Sequence, residues 1–203
     1  MKLPINMDAI KGFMPEDEGQ ALAEAARAAP SETPALEVGS YCGKSAVYIG
    51  TALKARGGTL FTVDHHRGSE ENQPGWEHHD AETWDEEAGA MDTLPFLRRS
   101  IRLAGLEDVV IPIVGASAHI ASHWQTPLGF LFIDGGHSIE PALADYNSWT
   151  PFVCAGGTLA IHDVFEDPAD GGQAPFEIYK LAIASGLFEE TSRVGSLRLL
   201  KRL

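Results

Sequence analysis

Short uninterrupted apolar runs alternate with stretches of helical period along most of the chain. The runs Ala35 to Val38, Thr59 to Val63, Val109 to Val114, Phe130 to Ile133 and Thr158 to Ile161 predict strands, and the uninterrupted apolar run Phe130 to Ile133 is of the kind expected for a strand buried on both faces. Amphipathic stretches between them predict helices near Lys44 to Ala55, Met91 to Ala104, Ala118 to Trp124 and Glu140 to Trp149. A further helix from about Phe176 to Ala184 leads into "LFEETS" and "GSLRLLKRL", which read as a closing antiparallel pair. Alternation of this kind predicts an α/β architecture, a seven-stranded and mostly parallel sheet that ends in an antiparallel hairpin.

Two segments break the pattern. His65 to Gly89, "HHRGSEENQPGWEHHDAETWDEEAG", is polar, dotted with aromatics and too long for an ordinary connection, so it reads as a lid or substrate loop. Glu166 to Pro175 follows the fifth strand. Both belong at the carboxyl edge of the sheet, where open α/β folds bind ligands. The first 30 residues, with "GFMPEDEG", are a second candidate cover, or else carry an exposed acidic helix starting at Pro15. Nothing resembling a linker divides residues 1–203, so one domain is expected.

The chain has 203 residues, 44% of them hydrophobic and 22% charged, enough to bury a substantial core. With 29 acidic against 15 basic residues the net charge is −14, which disfavours binding to nucleic acid or an anionic membrane surface and suits a neutral or cationic ligand. No apolar run approaches a membrane span and no signal-peptide stretch appears, so a cytoplasmic protein is expected. Cys42 and Cys154 form neither a disulfide framework nor a metal knuckle.

Candidate chemistry lies at the strand ends. In "ALEVGSYCGKSAVYIG", Glu37, Gly39 and Gly43 fall at a strand-to-helix turn, where glycines let backbone approach a ligand or simply turn tightly. The glycine spacing fits neither the dinucleotide fingerprint nor a phosphate loop. Asp64 ends the second strand, where a carboxylate can accept ribose hydroxyls, and "IVGAS", Ile113 to Ser117, offers small residues, a hydroxyl and amides to a flat ring. Together they describe an adenosine site. The fourth strand delivers Asp134 and the fifth His162 and Asp163; each alone serves as readily for a turn or a core contact, but at adjacent exits the three can converge on one divalent cation.

"EVGSYCGKS", "FTVDHH", "VGAS", "LFIDGGHS" and "GGTLAIHDVF" resemble, in order, the motifs of class I S-adenosylmethionine-dependent methyltransferases, which have a Rossmann-like fold. The resemblance implies S-adenosyl-L-methionine over the glycine turn and assigns Glu37, Gly39, Ser40, Gly43, Ser45, Asp64, Ala116, Ser117 and Asp134 to its site, with dehydrogenases the nearest competitor for the cradle.

The strand-end set is similar, more narrowly, to the metal-dependent sugar O-methyltransferases. That group implies Asp134 and Asp163 as magnesium ligands and His137, three residues after Asp134, as the base that takes the acceptor proton. His162 departs from it, since a carboxylate is usual there; imidazole is softer, so either Mn2+ or another transition ion becomes more credible than in that group, or His162 stands outside the ligand set. In the long loop His65, His66, Arg67, Trp76 and His79 are candidate substrate contacts. Together with "DHHRGSEENQPGWEHHD" and "IHDVFEDPADGGQAPFEIY", the set looks like the mannoside O-methyltransferases of methylmannose polysaccharide assembly, implying a homodimer that methylates the 1-hydroxyl of a short α-mannoside. The competing activities are catechol-type or macrolide-sugar methyl transfer, a silent adenosine-binding module, and a metal-dependent oxidative or hydrolytic role on the same fold.

Overall fold

The structure is a computed structural model that describes residues 2–69, 72–75, 79–136 and 138–203. Its strands in chain order are β1 (Ala35–Val38), β2 (Leu60–Asp64), β3 (Trp84–Asp85), β4 (Ala90–Met91), β5 (Val110–Val114), β6 (Leu128–Ile133), β7 (Val153–Ile161), β8 (Phe188–Val194) and β9 (Leu197–Arg202). Its helices are α1 (Glu16–Ala28), α2 (Lys44–Lys54), α3 (Leu94–Leu103), α4 (Ser117–Ala121), α5 (Ile139–Trp149) and α6 (Ala174–Ala184). The main sheet has seven strands in the order β5-β2-β1-β6-β7-β9-β8; all neighbours are parallel except β7 with β9 and β9 with β8.

Burial on both faces explains the apolar run of the central strand β6, whereas β5, at the sheet edge, leaves Ile111 and Val114 exposed. Along β6, Phe130 and Phe132 join a core with Leu22, Tyr48 and Leu53, beneath α1, α2 and α3. Leu131 and Ile133 point the other way, into a core with Trp149, Ile178 and Leu200 beneath α5 and α6. Successive side chains of a strand alternate between faces, so a strand between two helical layers must be apolar at every position.

The expected and observed elements differ in ways that have local causes. β7 starts at Val153, five residues earlier than the sequence pattern predicts, because its ladder with β6 passes through a register shift at the glycines Gly156 and Gly157 before resuming at Thr158. α4 stops at Ala121, short of Trp124; the Trp124 indole instead donates to the Thr126 carbonyl at 2.6 Å. α3 begins at Leu94 rather than Met91, since Met91 belongs to the small antiparallel ribbon β3–β4 within the long loop.

The helix at Pro15 forms as expected but is not a solvated face. α1 buries Leu22, Ala23 and Ala26, and Gly19 packs so tightly on Tyr48 of α2 that a Cβ there would sit 2.5 Å from the ring. Glu18 is buried in the same helix.

Candidate active site

β1 and β6 leave the sheet side by side. Gly39, at φ +85°, lies directly against the backbone of Asp134, where a Cβ would come within 2.1 Å of the Asp134 carbonyl oxygen. Any side chain at residue 39 would force the two exits apart. Asp64 then fastens the turn: its Oδ2 accepts from the amides of Ser40 and Tyr41 at 3.0 Å each, and its Oδ1 from the amide of His66 at 2.7 Å. The carboxylate expected to meet a ribose is therefore also the clamp of the glycine turn, and Oδ1 keeps acceptor capacity for a ligand hydroxyl.

Under the turn Glu37 is completely buried. One oxygen takes a short hydrogen bond from the Ser45 hydroxyl, whereas Oε2 has no hydrogen-bond partner among the described residues; neither has the buried Ser40 hydroxyl. Burial pushes the Glu37 carboxyl up to about 8, against the Ser45 bond, and the charges of Asp134 and Asp64 add to the shift. A buried polar oxygen without a protein partner calls for a donor from outside the chain, be it water, an ion or a ligand. A cation-bearing ligand meets both the geometry and the local excess of carboxylates.

Ala116 caps the N-terminus of α4 and Ser117 opens it. The Ser117 hydroxyl accepts from the Trp149 indole at 2.7 Å and bonds the carboxyl of Asp145 on α5. That hydroxyl ties α4 to α5, which leaves the backbone amides of the first turn as the donors that can face a ring. Asp145, absent from the sequence-derived candidates, is buried behind the site: a Cβ on Gly135 would meet its Oδ2 at 2.6 Å. Burial raises its carboxyl to about 6, the Ser117 bond opposing and Asp64 reinforcing the shift.

The second pole of the site is built by strand register. β6 and β7 run parallel with Ile133 opposite Ile161, and the His162 amide donates to the Ile133 carbonyl at 3.2 Å, so the residues that follow emerge together. One ligand atom each from Asp134, His162 and Asp163 lies within 4.8 Å of the others. His162 Nδ1 sits 3.1 Å from Asp134 Oδ1 and 3.4 Å from Asp163 Oδ2, while its Nε2–H donates to Glu18 Oε2 at 2.5 Å. Asp163 takes a left-handed backbone, φ +54°, a conformation that Asp tolerates better than most residues and that turns its carboxylate back toward His162. Burial alone would discharge the imidazole; the charge of Asp134, with hydrogen bonds to Asp134, Asp163 and Glu18, instead pushes it up to about 12. Three carboxylates thus surround one imidazolium. The excess negative charge fits a divalent cation of the magnesium or manganese kind, which would displace the Nδ1 proton and so gain a nitrogen ligand beside the carboxylate oxygens.

His137, the sequence-derived base, and Trp76 lie outside the described residues. Of the remaining loop candidates, His65 is exposed, and its Nδ1 accepts from the Arg67 amide at 3.0 Å. Arg67 donates to the Met91 carbonyl, and His79 bonds the Asn72 carbonyl and lies edge-on to Trp84. His66 is buried, its Nδ1 2.7 Å from the Thr93 hydroxyl, so it anchors the loop to the start of α3. Both candidate covers are present and joined: Lys11 pairs with Asp80 and Glu82 at 2.6 Å each, and the exposed ring of Phe13 lies 6.1 Å from Tyr41 in the glycine turn. Among the described residues no helix is long and apolar enough to cross a membrane.

The sheet order and terminal hairpin define the Rossmann-like class I methyltransferase fold. A family model described as a methyltransferase domain matches residues 36–164, from β1 to just beyond the cluster of Asp134, His162 and Asp163, and the chain belongs to that methyltransferase family. Solved structures share the fold at low identity. The O-methyltransferase NovP superposes with a TM-score of 0.70 at 15% identity, over 92% of this chain and 79% of that one. An O-methyltransferase from Bacillus cereus, in complex with SAH, gives 0.64 at 18% identity over 94% and 83%. The SAH-bound methyltransferase PaMTH1 from Podospora anserina gives 0.63 at 13% identity over 94% and 80%.

Proposed function

We propose that the protein is an O-methyltransferase dependent on S-adenosyl-L-methionine and a divalent cation, acting on a small carbohydrate: the 1-hydroxyl of a short α-mannoside in methylmannose polysaccharide assembly. The observation that carries this reading is the convergence, within one row of strand exits, of a glycine turn clamped by Asp64 and a cluster of Asp134, His162 and Asp163. Solved O-methyltransferases of the same fold, one of them bound to SAH, support the cofactor and the reaction class. The sugar rests on the loop motifs of the sequence, and the chain's acidity suits an uncharged acceptor better than a phosphorylated one.

S-adenosyl-L-methionine supplies a methyl group on a sulfonium, and a divalent cation supplies Lewis-acid polarisation of the acceptor oxygen. The chain's own residues do the rest. The 39–43 turn offers a close backbone approach and Asp64 an acceptor for the ribose, and the unpartnered Glu37 oxygen lies buried beneath them for an ammonium. Asp134, Asp163 and the Nδ1 face of His162 hold the cation. His137 takes the acceptor proton as the hydroxyl oxygen bonds to the methyl carbon and the carbon–sulfur bond breaks. Holding oxygen, carbon and sulfur in line is the main task of the two covers, which also exclude water.

The test is transfer of labelled methyl from S-adenosyl-L-methionine across a panel of mannosides, other sugars and catechols, with and without chelator. Label on a mannoside, lost on chelation and restored by Mg2+ or Mn2+, is the expected result. Transfer to catechols alone overturns the sugar, and full activity of verified metal-free protein overturns the cation.

A further inference from the structure

Glu18 is an unusual residue to find 3% exposed on a helix whose other buried positions are Gly19, Leu22, Ala23 and Ala26. A carboxylate in such a stripe costs stability unless both oxygens are satisfied, and here they are divided between two partners. Oε1 accepts from the Ser196 amide at 2.6 Å and the Ser196 hydroxyl at 3.1 Å, in the turn between β8 and β9. That turn is shaped around it: Gly195 has φ +52° and no room for a Cβ, which would lie 2.1 Å from Oε1. Oε2 takes the Nε2–H of His162. The carboxylate is therefore fixed by the hairpin on one side and fixes the imidazole on the other, and His162, itself 4% exposed, can turn neither way.

We infer that Glu18 is the positioning residue that makes Nδ1 the cation-binding nitrogen of His162, wiring the N-terminal helix and the terminal hairpin to the cation site. A cation bound at this cluster takes the place of the Nδ1 proton; the neutral ring then has one donor and one acceptor nitrogen, and an acceptor held at Nε2 keeps the proton there and places the lone pair on Nδ1. Nδ1 is the atom that faces Asp134 and Asp163. A carboxylate behind a ligating histidine orients the ring and raises its basicity, and losing it typically costs 10- to 100-fold in metal affinity. A purely structural ion pair between Glu18 and His162 would leave metal affinity alone.

The inference rests on reading Asp134, His162 and Asp163 as a cation site, and the test separates the two. The full chain, made with histidine carrying 15N at Nδ1 only, is titrated with Mn2+ and read by electron paramagnetic resonance. The expected result is a strong coupling of bound Mn2+ to the labelled nitrogen. Glu18→Gln should bind Mn2+ 10- to 100-fold more weakly, with the coupling weakened, while its affinity for S-adenosylhomocysteine stays within twofold of wild type. Coupling to the unlabelled nitrogen, or none, overturns the inference from the wild-type protein alone, whatever the variant's folding. So does Glu18→Gln with unchanged affinity and coupling. If the wild type binds no Mn2+ at all, the cation reading fails first and takes this inference with it.

Discussion

At the glycine turn the site is held by near neighbours in the chain: Asp64 reaches the amides of Ser40 and Tyr41, 24 and 23 residues away on the adjoining strand exit. At the proposed cation pole, His162 meets Asp134 across 28 residues and Glu18 across 144. The first pole is made of a glycine turn whose backbone amides are clamped by one carboxylate, the second of side-chain charges in which Glu18 and His162 are buried and Asp134 and Asp163 partly so. A backbone cradle can form once two consecutive strands pair. A buried charge cluster needs the whole sheet, because each carboxylate in it is tolerable only with its partner in place.

The two poles touch at Gly39, and the largest effect should come from breaking that contact. Gly39→Ala combines a left-handed backbone, itself worth about 1 to 3 kcal/mol, with a collision against the Asp134 carbonyl. Chemical denaturation should show a loss of about 3 kcal/mol or more, with cofactor and cation affinity both falling. A loss below about 1 kcal/mol would mean that the two exits are not packed against each other in solution.

The next effect lies behind the cation pole and is pH-dependent. Asp145 has its folded-state pKa raised from 3.8 to about 6 by burial, so folding favours its proton. The stability that the proton contributes is fully present below about pH 4 and is lost as pH rises through about 6. Asp145→Asn stays neutral and should be more stable than wild type above pH 6, by up to about 3 kcal/mol at about 1.4 kcal/mol per unit. The two proteins should converge below pH 4. Equal unfolding midpoints at pH 5 and pH 8 would show Asp145 to be solvated.

The smallest effect should isolate the cradle. Asp64→Ala removes the acceptor of three backbone amides and of the proposed ribose contact, and calorimetry should find S-adenosylhomocysteine binding weakened by about 1 to 3 kcal/mol. Mn2+ affinity should stay within twofold, since Asp64 is not among the cation-cluster residues. A matching loss in both would dissolve the distinction between the poles.

Much of this was legible from local pattern. The apolar runs placed the five parallel strands, and the strand ends carrying Gly39, Asp64, Asp134, His162 and Asp163 could be expected to meet, because a parallel sheet brings consecutive exits to one edge. Asp134 and His162 were linked correctly from sequence because neighbouring parallel strands keep register. Glu18 was not legible: in "PEDEG" it reads as one more acid favouring a helix N-terminus, which is how Glu16 and Asp17 beside it behave. Asp145 was hidden for a similar reason, as a polar residue on an amphipathic helix whose burial depends on how α5 lies against Gly135. His66 read as a candidate substrate contact in a polar loop, and only the docking of that loop on Thr93 shows it buried.

The sequence by itself determined the alternation of strand and helix, the glycine turn, and the chemistry available at each strand end, because those depend on neighbours a few residues apart or on the next strand. The tertiary structure alone decided which charges are buried and which atom each one faces. Desolvation and pairing act between residues that meet only when the N-terminal helix, the β7 exit and the final hairpin close on one another, and no spacing along the chain records that meeting.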